Sequence, residues 1–304
     1  MYRRYNILGD VMGILFVVNP KAGNGKAKKV ADLIDSKLRG KKVDYKITFT
    51  KAPEDATEIV VKNSNLFNRI VSVGGDGTLN EVVNGIVGKD LELAVIPAGT
   101  GNDFAKMLYP SLDIKKIIDW VVYGDIEKID VGRCNDKYFI NIASAGFDAE
   151  VANKVQRTKK VFSGKAAYLY SLFKTLISYK GIFFKIHIDN NLFFSNTLLI
   201  TASNGRFYGG GMIPTPNADI QDGYFDICHV KTLNKLKLLA LLNKYIKGTH
   251  TELKEVTIFK GKSLKIESEK VFSVNLDGEI IRTDKAEFEI LKDAVKIVFP
   301  NNLY

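Results

Sequence analysis

Four short apolar runs, ILFVVN, DYKITFT, RIVSV and LELAVIP, are each followed by a stretch of helical character: AKKVADLIDSKL, DATEIVVKN, LNEVVNGIV and NDFAKML. Strands that alternate with helices at this spacing predict a parallel sheet with flanking helices. After about Lys128 the character changes. YFINIAS, FFKIHID, FFSNTLLITAS, YFDICHV, EVTIFK, SLKIES, VFSVNLD, AEFEIL and AVKIVF are short, often alternating runs parted by Gly, Asn and Asp, as in an antiparallel β-sandwich. One helix, near Lys235 to Lys247, interrupts them. The expected organisation is therefore an α/β domain over residues 12–130, with the tail from about 290 to 304 returning to it, and a mostly antiparallel β-sandwich domain over 131–290. No low-complexity linker separates them, so the halves are expected to pack closely around a cleft where chemistry would go.

Composition narrows the class. A chain of 304 residues, 46% hydrophobic and 26% charged, is globular and long enough for two cores. Cys134 and Cys228 lie far apart, without the spacing of a zinc site or a disulfide framework, which suits a reducing cytosol. No apolar run approaches the roughly 20 residues that span a bilayer. VMGILFVVNP, which follows Arg3 and Arg4, is too short for a signal peptide and reads as a buried strand. Met12 is an alternative start that would make the first eleven residues an extension.

The net charge of +10 is unevenly placed. Between Val151 and Ile188 stand Lys154, Arg157, Lys159, Lys160, Lys165, Lys174, Lys180 and Lys185, without one Asp or Glu. Phe162, Tyr168, Tyr170, Phe173, Tyr179, Phe183 and Phe184 interleave them, and Leu169, Leu172, Phe173 and Leu176 fit one helix face. An anionic membrane surface suits such a segment, at about 1 kcal/mol per base near the lipid heads. A core helix with a solvated lysine face suits it as well. No nucleic-acid module accompanies it, so nucleic acid is not the expected partner.

Three junctions of the first half carry glycine-rich loops at a helix start: VVNPKAGNGKAKK, VSVGGDGTLNEV and VIPAGTGNDFAKM. Backbone N–H groups and the helix dipole favour an anion there, and three such loops at one sheet edge point to a nucleotide. Neither the Walker nor the dinucleotide template fits them. Asn102 and Asp103 could instead be helix caps, and Asp76 and Thr78 a turn with its cap. That alternative accounts poorly for Gly74, Gly75 and Gly77 together, because each adds backbone freedom that folding must remove.

With GGDGTLNEVVNG, then PAGTGNDFA, and NPKAG upstream, the chain resembles the diacylglycerol kinase catalytic domain family, which includes bacterial soluble diacylglycerol kinases, sphingosine kinases and ceramide kinases. NIASAGFDAEV, NGRFYGGG, PTPNADIQDGYFDI and VNLDGE extend the resemblance over nearly the whole chain. GGDGT is shared with NAD kinases, but PAGTGNDFA and the late DGE favour the lipid kinases. The resemblance implies an NAD kinase/diacylglycerol kinase-like first domain that binds ATP through Asn19, Lys21, Gly23, Thr50, Gly74, Gly75, Asp76, Gly77, Thr78, Asn80 and Thr100. Asp76 would face a catalytic Mg²⁺. Thr50 is followed by Lys51-Ala52-Pro53-Glu54, where the family more often shows Gly-His or Gly-Asp.

The resemblance also names Glu279 as the acceptor of the substrate's proton, with Asp277 beside it and Asp103 in the same polar network. Asp277-Gly278 equally suits a hairpin turn. A structural metal is implied at Asp219, Asp222 and Tyr224, where Asp222-Gly223 again suits a turn. His187, His229 and His250 are scattered and expected in core or surface roles. The implied activity is ATP-dependent phosphorylation of a lipid, diacylglycerol foremost, by a cytoplasmic enzyme peripherally bound at the inner face of the membrane, with a homodimer as a further expectation. Another lipid acceptor, an NAD kinase and a non-catalytic nucleotide- or lipid-binding protein are the alternatives.

Overall fold

A computed structural model describes residues 13–158, 174, 175 and 178–301. The chain divides into two units, Met1–Ile129 with Ala294–Tyr304, and Asp130–Asp293.

The first unit is built on β1 (Gly13–Val18), β2 (Asp44–Phe49), β3 (Arg69–Gly74) and β4 (Glu92–Pro97), all paired in parallel in the order 2-1-3-4. The last turnings of β13 (Glu279–Phe299) extend this sheet, with Lys296 and Ile297 parallel to Glu92 and Leu93. Every residue of β1 and β3 is buried, as continuous apolar runs require when helices cover both faces. α1 (Lys26–Leu38) buries Ala27, Val30, Ala31, Ile34 and Leu38, one stripe at helical period. α2 (Asp55–Asn63), α3 (Asp76–Ile86) and the short α4 (Asp103–Leu108) follow β2, β3 and β4. A further helix, α5 (Ile114–Tyr123), is capped by Asp113, which accepts from the Lys115 N–H at 2.9 Å. Its far end is held by Arg69, which is 2% exposed, donates to the Val122 carbonyl at 2.9 Å and pairs with Glu92 at 2.7 Å. From β1 the chain steps to one side for β2 and to the other for β3, so the loops after β1 and β3 leave at a switch point. Ligands of open α/β sheets bind outside the carboxyl ends of the strands at such a point.

The second unit is antiparallel throughout its recorded pairings. β7 (Ile142–Gly146), β8 (Ile182–Ile188), β9 (Asn191–Ser203), β10 (Phe225–Lys231), β11 (Val256–Gly261), β12 (Ser263–Leu276) and β13 run in the order 11-10-9-7-12-13, with β8 pairing both β9 and β12. β5 (Asp125–Cys134) pairs with β6 (Lys137–Phe139). SLKIES and VFSVNLD, read as two strands, are one strand, β12. Its register shifts between Glu267 and Phe272, where it leaves β8 and goes on to β7, and a bulge lets one strand turn a corner in this way. Likewise AEFEIL and AVKIVF both belong to β13. Phe139, Phe184, Phe225, Phe272 and Ile266 form the interior core. A second cluster lies under α6 (Phe147–Thr158) and α7 (Lys235–Lys247), around Phe147, Leu199, Leu238 and Leu241.

Of the basic segment, Arg157 lies in α6, whereas Lys159, Lys160, Lys165, Phe162, Tyr168, Leu169, Tyr170, Leu172, Phe173 and Leu176 lie outside the described residues. Phe184 is fully buried against Phe272 and therefore faces no membrane, whereas Phe183 is 62% exposed. His229 and His250 are buried. No helix among the described residues is long and apolar enough to cross a membrane.

Candidate active site

In the first unit the three glycine-rich loops converge. Asn19, just after β1, donates from its backbone to the Val73 carbonyl at 3.0 Å and from its side chain to the Thr78 hydroxyl at 3.1 Å. The Lys21 N–H donates back to Asn19 Oδ1 at 3.1 Å, and the Lys21 side chain is exposed. Gly75 and Gly99 lie back to back, so that a Cβ on Gly99 would collide with the Gly75 Cα. Gly23 lies against the Ala98 carbonyl. Loops one, two and three thus share a single surface. Thr100 is exposed on the third, and Thr50, buried, stands at the end of β2 with its N–H on the Val18 carbonyl at 2.8 Å. Gly74 and Asn80 are buried, and the Asn80 amide oxygen accepts from Asn84. The carrying surface is therefore Asn19 to Gly23, Gly75 to Thr78, and Gly99 to Asp103.

Capping separates this surface from ordinary connections. The N-caps of α5 and α7 have side-chain capping bonds, from Asp113 and Asn234. Those of α1, α2, α3 and α4 have none from their own N-cap residues. At α4 the first N–H instead donates to Asp76, so on this surface α1 and α3 are the helix starts that leave N–H groups available to an anion. Asn102, one possible cap, instead closes its own loop: Gly99 N–H donates to its amide oxygen at 2.9 Å and its amide nitrogen donates to the Gly99 carbonyl at 2.9 Å. Its φ of +52° suits an Asn.

Asp76 and Asp103 are the two carboxylates on this surface. Asp76 Oδ1 accepts from the Asp103 N–H at 2.7 Å, which fastens the start of α4 to the start of α3. Its other oxygen faces Gly101, where a Cβ would come within 2.7 Å of Asp76 Oδ2 and 3.5 Å of Asp103 Oδ2. Two carboxylates thus flank a position kept bare by a glycine. Burial, and then the negative charge of Asp103, raise the Asp76 carboxyl above the usual range. Lys106 pairs with Asp103 at 2.8 Å. A hard divalent cation suits this donor set, since Mg²⁺ binds through one or two carboxylates and keeps waters. Gly101 stands in the quoted PAGTGNDFA, yet the need for it at that place is visible only once both carboxylates are positioned.

In the second unit, Asp277 and Gly278 join β12 to β13 with φ of +49° and +104°, both positive as in a type I′ hairpin turn, with Leu276 paired to Glu279. The turn is also a clamp. The Asp277 carboxylate accepts from the backbone N–H groups of Ile140 at 2.7 Å, Asn141 at 3.2 Å and Ile142 at 2.9 Å. Its oxygens are committed to the bend before β7. Glu279, two residues on, is half-buried, with Lys137 Nζ 3.2 Å from Oε2.

At the remaining sequence candidates, Asp219 Oδ1 accepts from the Gln221 N–H at 3.0 Å, and Asp222 Oδ1 accepts from the Tyr224 N–H at 2.9 Å. Asp222 Oδ2 pairs with Lys260 at 2.6 Å, and Lys262 lies 5.3 Å from the centre of the Tyr224 ring. Among the described residues no cluster of three His, Cys, Asp or Glu side chains could hold a metal. The Lys260 ammonium thus stands at Asp222, the one acid side chain that the resemblance assigns to this metal beside backbone carbonyls.

Comparison with known proteins agrees across both units. Residues 13–134 match the diacylglycerol kinase catalytic domain, and residues 141–299 match the YegS C-terminal NAD kinase beta sandwich-like domain. The chain is 32% identical over 293 residues to the diacylglycerol kinase of Staphylococcus epidermidis, covering 95% of this chain and 92% of that one. It is 30% identical over 290 residues to that of Staphylococcus saprophyticus, covering 94% and 95%. Among solved structures, a candidate diacylglycerol kinase from Bacillus anthracis str. Sterne superposes with a TM-score of 0.79 at 29% identity, covering 96% of this chain and 98% of that one.

Proposed function

Because the chain belongs to the diacylglycerol kinase family, we propose that it transfers the γ-phosphoryl group of ATP to a lipid hydroxyl, diacylglycerol foremost, giving phosphatidic acid. The observation that carries this reading is the pair of carboxylates, Asp76 and Asp103, flanking bare Gly101 where three glycine-rich loops meet.

In the proposed reaction the loops hold the triphosphate. Backbone N–H groups of the uncapped α3 start, with Asn19 and Thr78 and the Lys21 ammonium, neutralise and orient it, which is most of what phosphoryl transfer asks of a protein. Asp76 and Asp103 would hold Mg²⁺, which when bound neutralises charge on the phosphate oxygens. Glu279 takes the proton of the acceptor hydroxyl as its oxygen bonds to the γ-phosphorus and the bond to the bridging oxygen breaks, leaving ADP. Asp277 fixes the hairpin that carries Glu279. Lys137 holds the Glu279 carboxylate in one orientation.

Cytoplasmic peripheral attachment to the membrane belongs to the same reading, supported by the eight bases between Val151 and Ile188. Replacing Lys154, Lys159, Lys160 and Lys165 by glutamate is expected to abolish sedimentation with vesicles rich in phosphatidylglycerol, and unchanged sedimentation would remove this segment from the account. The catalytic reading is tested by labelled-phosphate transfer in mixed micelles with Asp76→Asn beside the parent chain. Loss of phosphatidic acid in the variant supports it, and full activity contradicts it.

A further inference from the structure

The two carboxylates beside Gly101 are held in matching ways. Asp76 is anchored through Oδ1 by the Asp103 N–H, and its Oδ2 faces the bare side of Gly101. Asp103 is anchored through Oδ1 by Lys106 Nζ at 2.8 Å, and its Oδ2 faces the same side. Each carboxylate thus keeps one oxygen tied and turns the other to a common gap. The tie on Asp76 is a backbone group set by the fold, whereas this tie on Asp103 is a side chain that carries charge.

Lys106 follows Asp103 by three residues in α4, the spacing that brings two side chains together on one helix face. The Asp103 side chain is 5% exposed and that of Lys106 is 32% exposed. A carboxylate buried to this degree needs a charged or hydrogen-bonding partner, and salt screens such a pair little. The ammonium half stays within reach of a ligand. Lys106 is also the only base in PAGTGNDFAKML. The first N–H of α4 goes to Asp76, and the Gly99 N–H goes to the Asn102 amide oxygen. The positive charge that the third loop and its helix bring to this surface therefore comes from Lys106. Two ionised carboxylates and one ammonium leave a single net negative charge around the gap.

We propose that Lys106 is a positioning and charge-setting residue: it turns Asp103 Oδ2 to the gap and, by cancelling one of two negative charges, makes the site take magnesium as its nucleotide complex in preference to the free ion. The inference rests on the kinase reading of this site. A free divalent cation gains most from an uncompensated pair of carboxylates, and an ammonium 2.8 Å from one of them opposes it. The magnesium complex of ATP is a net anion, which the same ammonium attracts. One side chain therefore acts with opposite sign on the two species.

The test is calorimetric titration of the full chain with MgCl2 alone, and separately with the magnesium complex of a non-hydrolysable ATP analogue. Lys106→Met is expected to bind free Mg²⁺ about tenfold more tightly than the parent chain and the nucleotide complex about tenfold more weakly. Lys106→Gln serves in its place should the first variant not fold. Lys106→Arg, which keeps the charge, should behave as the parent chain does. Adding Asp103→Asn to Lys106→Met should erase the gain for free Mg²⁺. A side chain that only supports the fold would weaken both ligands together. Parallel weakening, no change in either ligand, or a gain that survives Asp103→Asn overturns the proposal. Transfer of labelled phosphate from MgATP to diacylglycerol is measured beside these titrations. If the parent chain phosphorylates the lipid and Lys106→Met shows no opposed shifts, the Lys106 assignment fails alone. If the opposed shifts appear and no lipid is phosphorylated, the lipid-kinase reading fails alone.

Discussion

Asp76, the first residue of α3, accepts a hydrogen bond at 2.7 Å from the backbone N–H of Asp103, the first residue of α4. One carboxylate thereby fixes two helix starts and brings a second carboxylate toward its own free side. The arrangement is unfavourable for an empty site. Burial and the Asp103 charge raise the Asp76 carboxyl, so the folded state binds a proton more readily than the unfolded state, and stability is lost as pH rises through the folded pKa. Asp76→Asn keeps an oxygen acceptor and removes the charge. It should melt higher than the parent chain at pH 7 without Mg²⁺, with the difference closing below the ordinary Asp range, while activity falls about 10²–10³-fold. Thermal melts across pH check it, and a lower melting temperature at pH 7 would contradict the electrostatic account.

Glu279 and Asp277 are two residues apart and should separate cleanly. Glu279→Ala should lower kcat by roughly 10²–10⁴ with the melting temperature and the KM for ATP little changed. Asp277→Ala leaves three backbone N–H groups without their acceptor and, at about 1–3 kcal/mol for each buried group left unpaired, should destabilise the fold markedly. Denaturation curves beside initial rates distinguish the two.

Glu54 carries a φ of +68° at the start of α2, where the family resemblance leads one to expect Gly. The left-handed conformation costs about 1–2 kcal/mol for a side chain with a Cβ, and Gly costs about 0.5–1 kcal/mol in chain entropy. Glu54→Gly should therefore raise stability by about 0.5 kcal/mol, read as a small upward shift in Tm. A fall in Tm would show that Glu54 makes a compensating contact.

His229 is buried beside Thr197 at 3.1 Å, and burial lowers its pKa to about 4. Between its unfolded value near 6.5 and about 4, the unfolded chain binds the extra proton, so stability falls as pH drops through that window. The loss should approach about 3 kcal/mol at the acid end and shrink in His229→Gln. Unfolding by urea at pH 7 and pH 5, between which about 2 kcal/mol of that loss falls, measures it.

Lys260 neutralises Asp222 at 2.6 Å, and a divalent cation there would have to displace it. Lys260→Ala should make the melting temperature rise with added Mg²⁺, whereas the parent chain should respond less. Equal responses would show that the ion binds elsewhere.

Much of the first unit could be read from its residues, because helix and strand periods there differ and glycine punctuates each junction. The matched runs ILFVVN and RIVSV became the buried β1 and β3. α5 is not legible in IKKIIDWVVY, which is dense in β-branched residues, because its helical state is decided by the Asp113 cap and by Arg69 on its terminal carbonyls. The merging of VFSVNLD with SLKIES into β12 depends on a bulge, a pairing event no local pattern records. At the site, Asp277 read equally well as a turn residue and as part of the chemistry. Only the three N–H donors from residues 140–142, more than a hundred positions earlier, show that its carboxylate is a clamp.

The most direct measurement is transfer of labelled γ-phosphate from MgATP to a panel of diacylglycerol, phosphatidylglycerol, sphingosine and NAD, by the parent chain and by Glu279→Ala. The expected result is labelled phosphatidic acid from the parent chain, reduced at least a hundredfold in the variant. Label that appears in NADP alone, or in phosphatidic acid equally with both proteins, would contradict the assignment of a lipid kinase with Glu279 as its base.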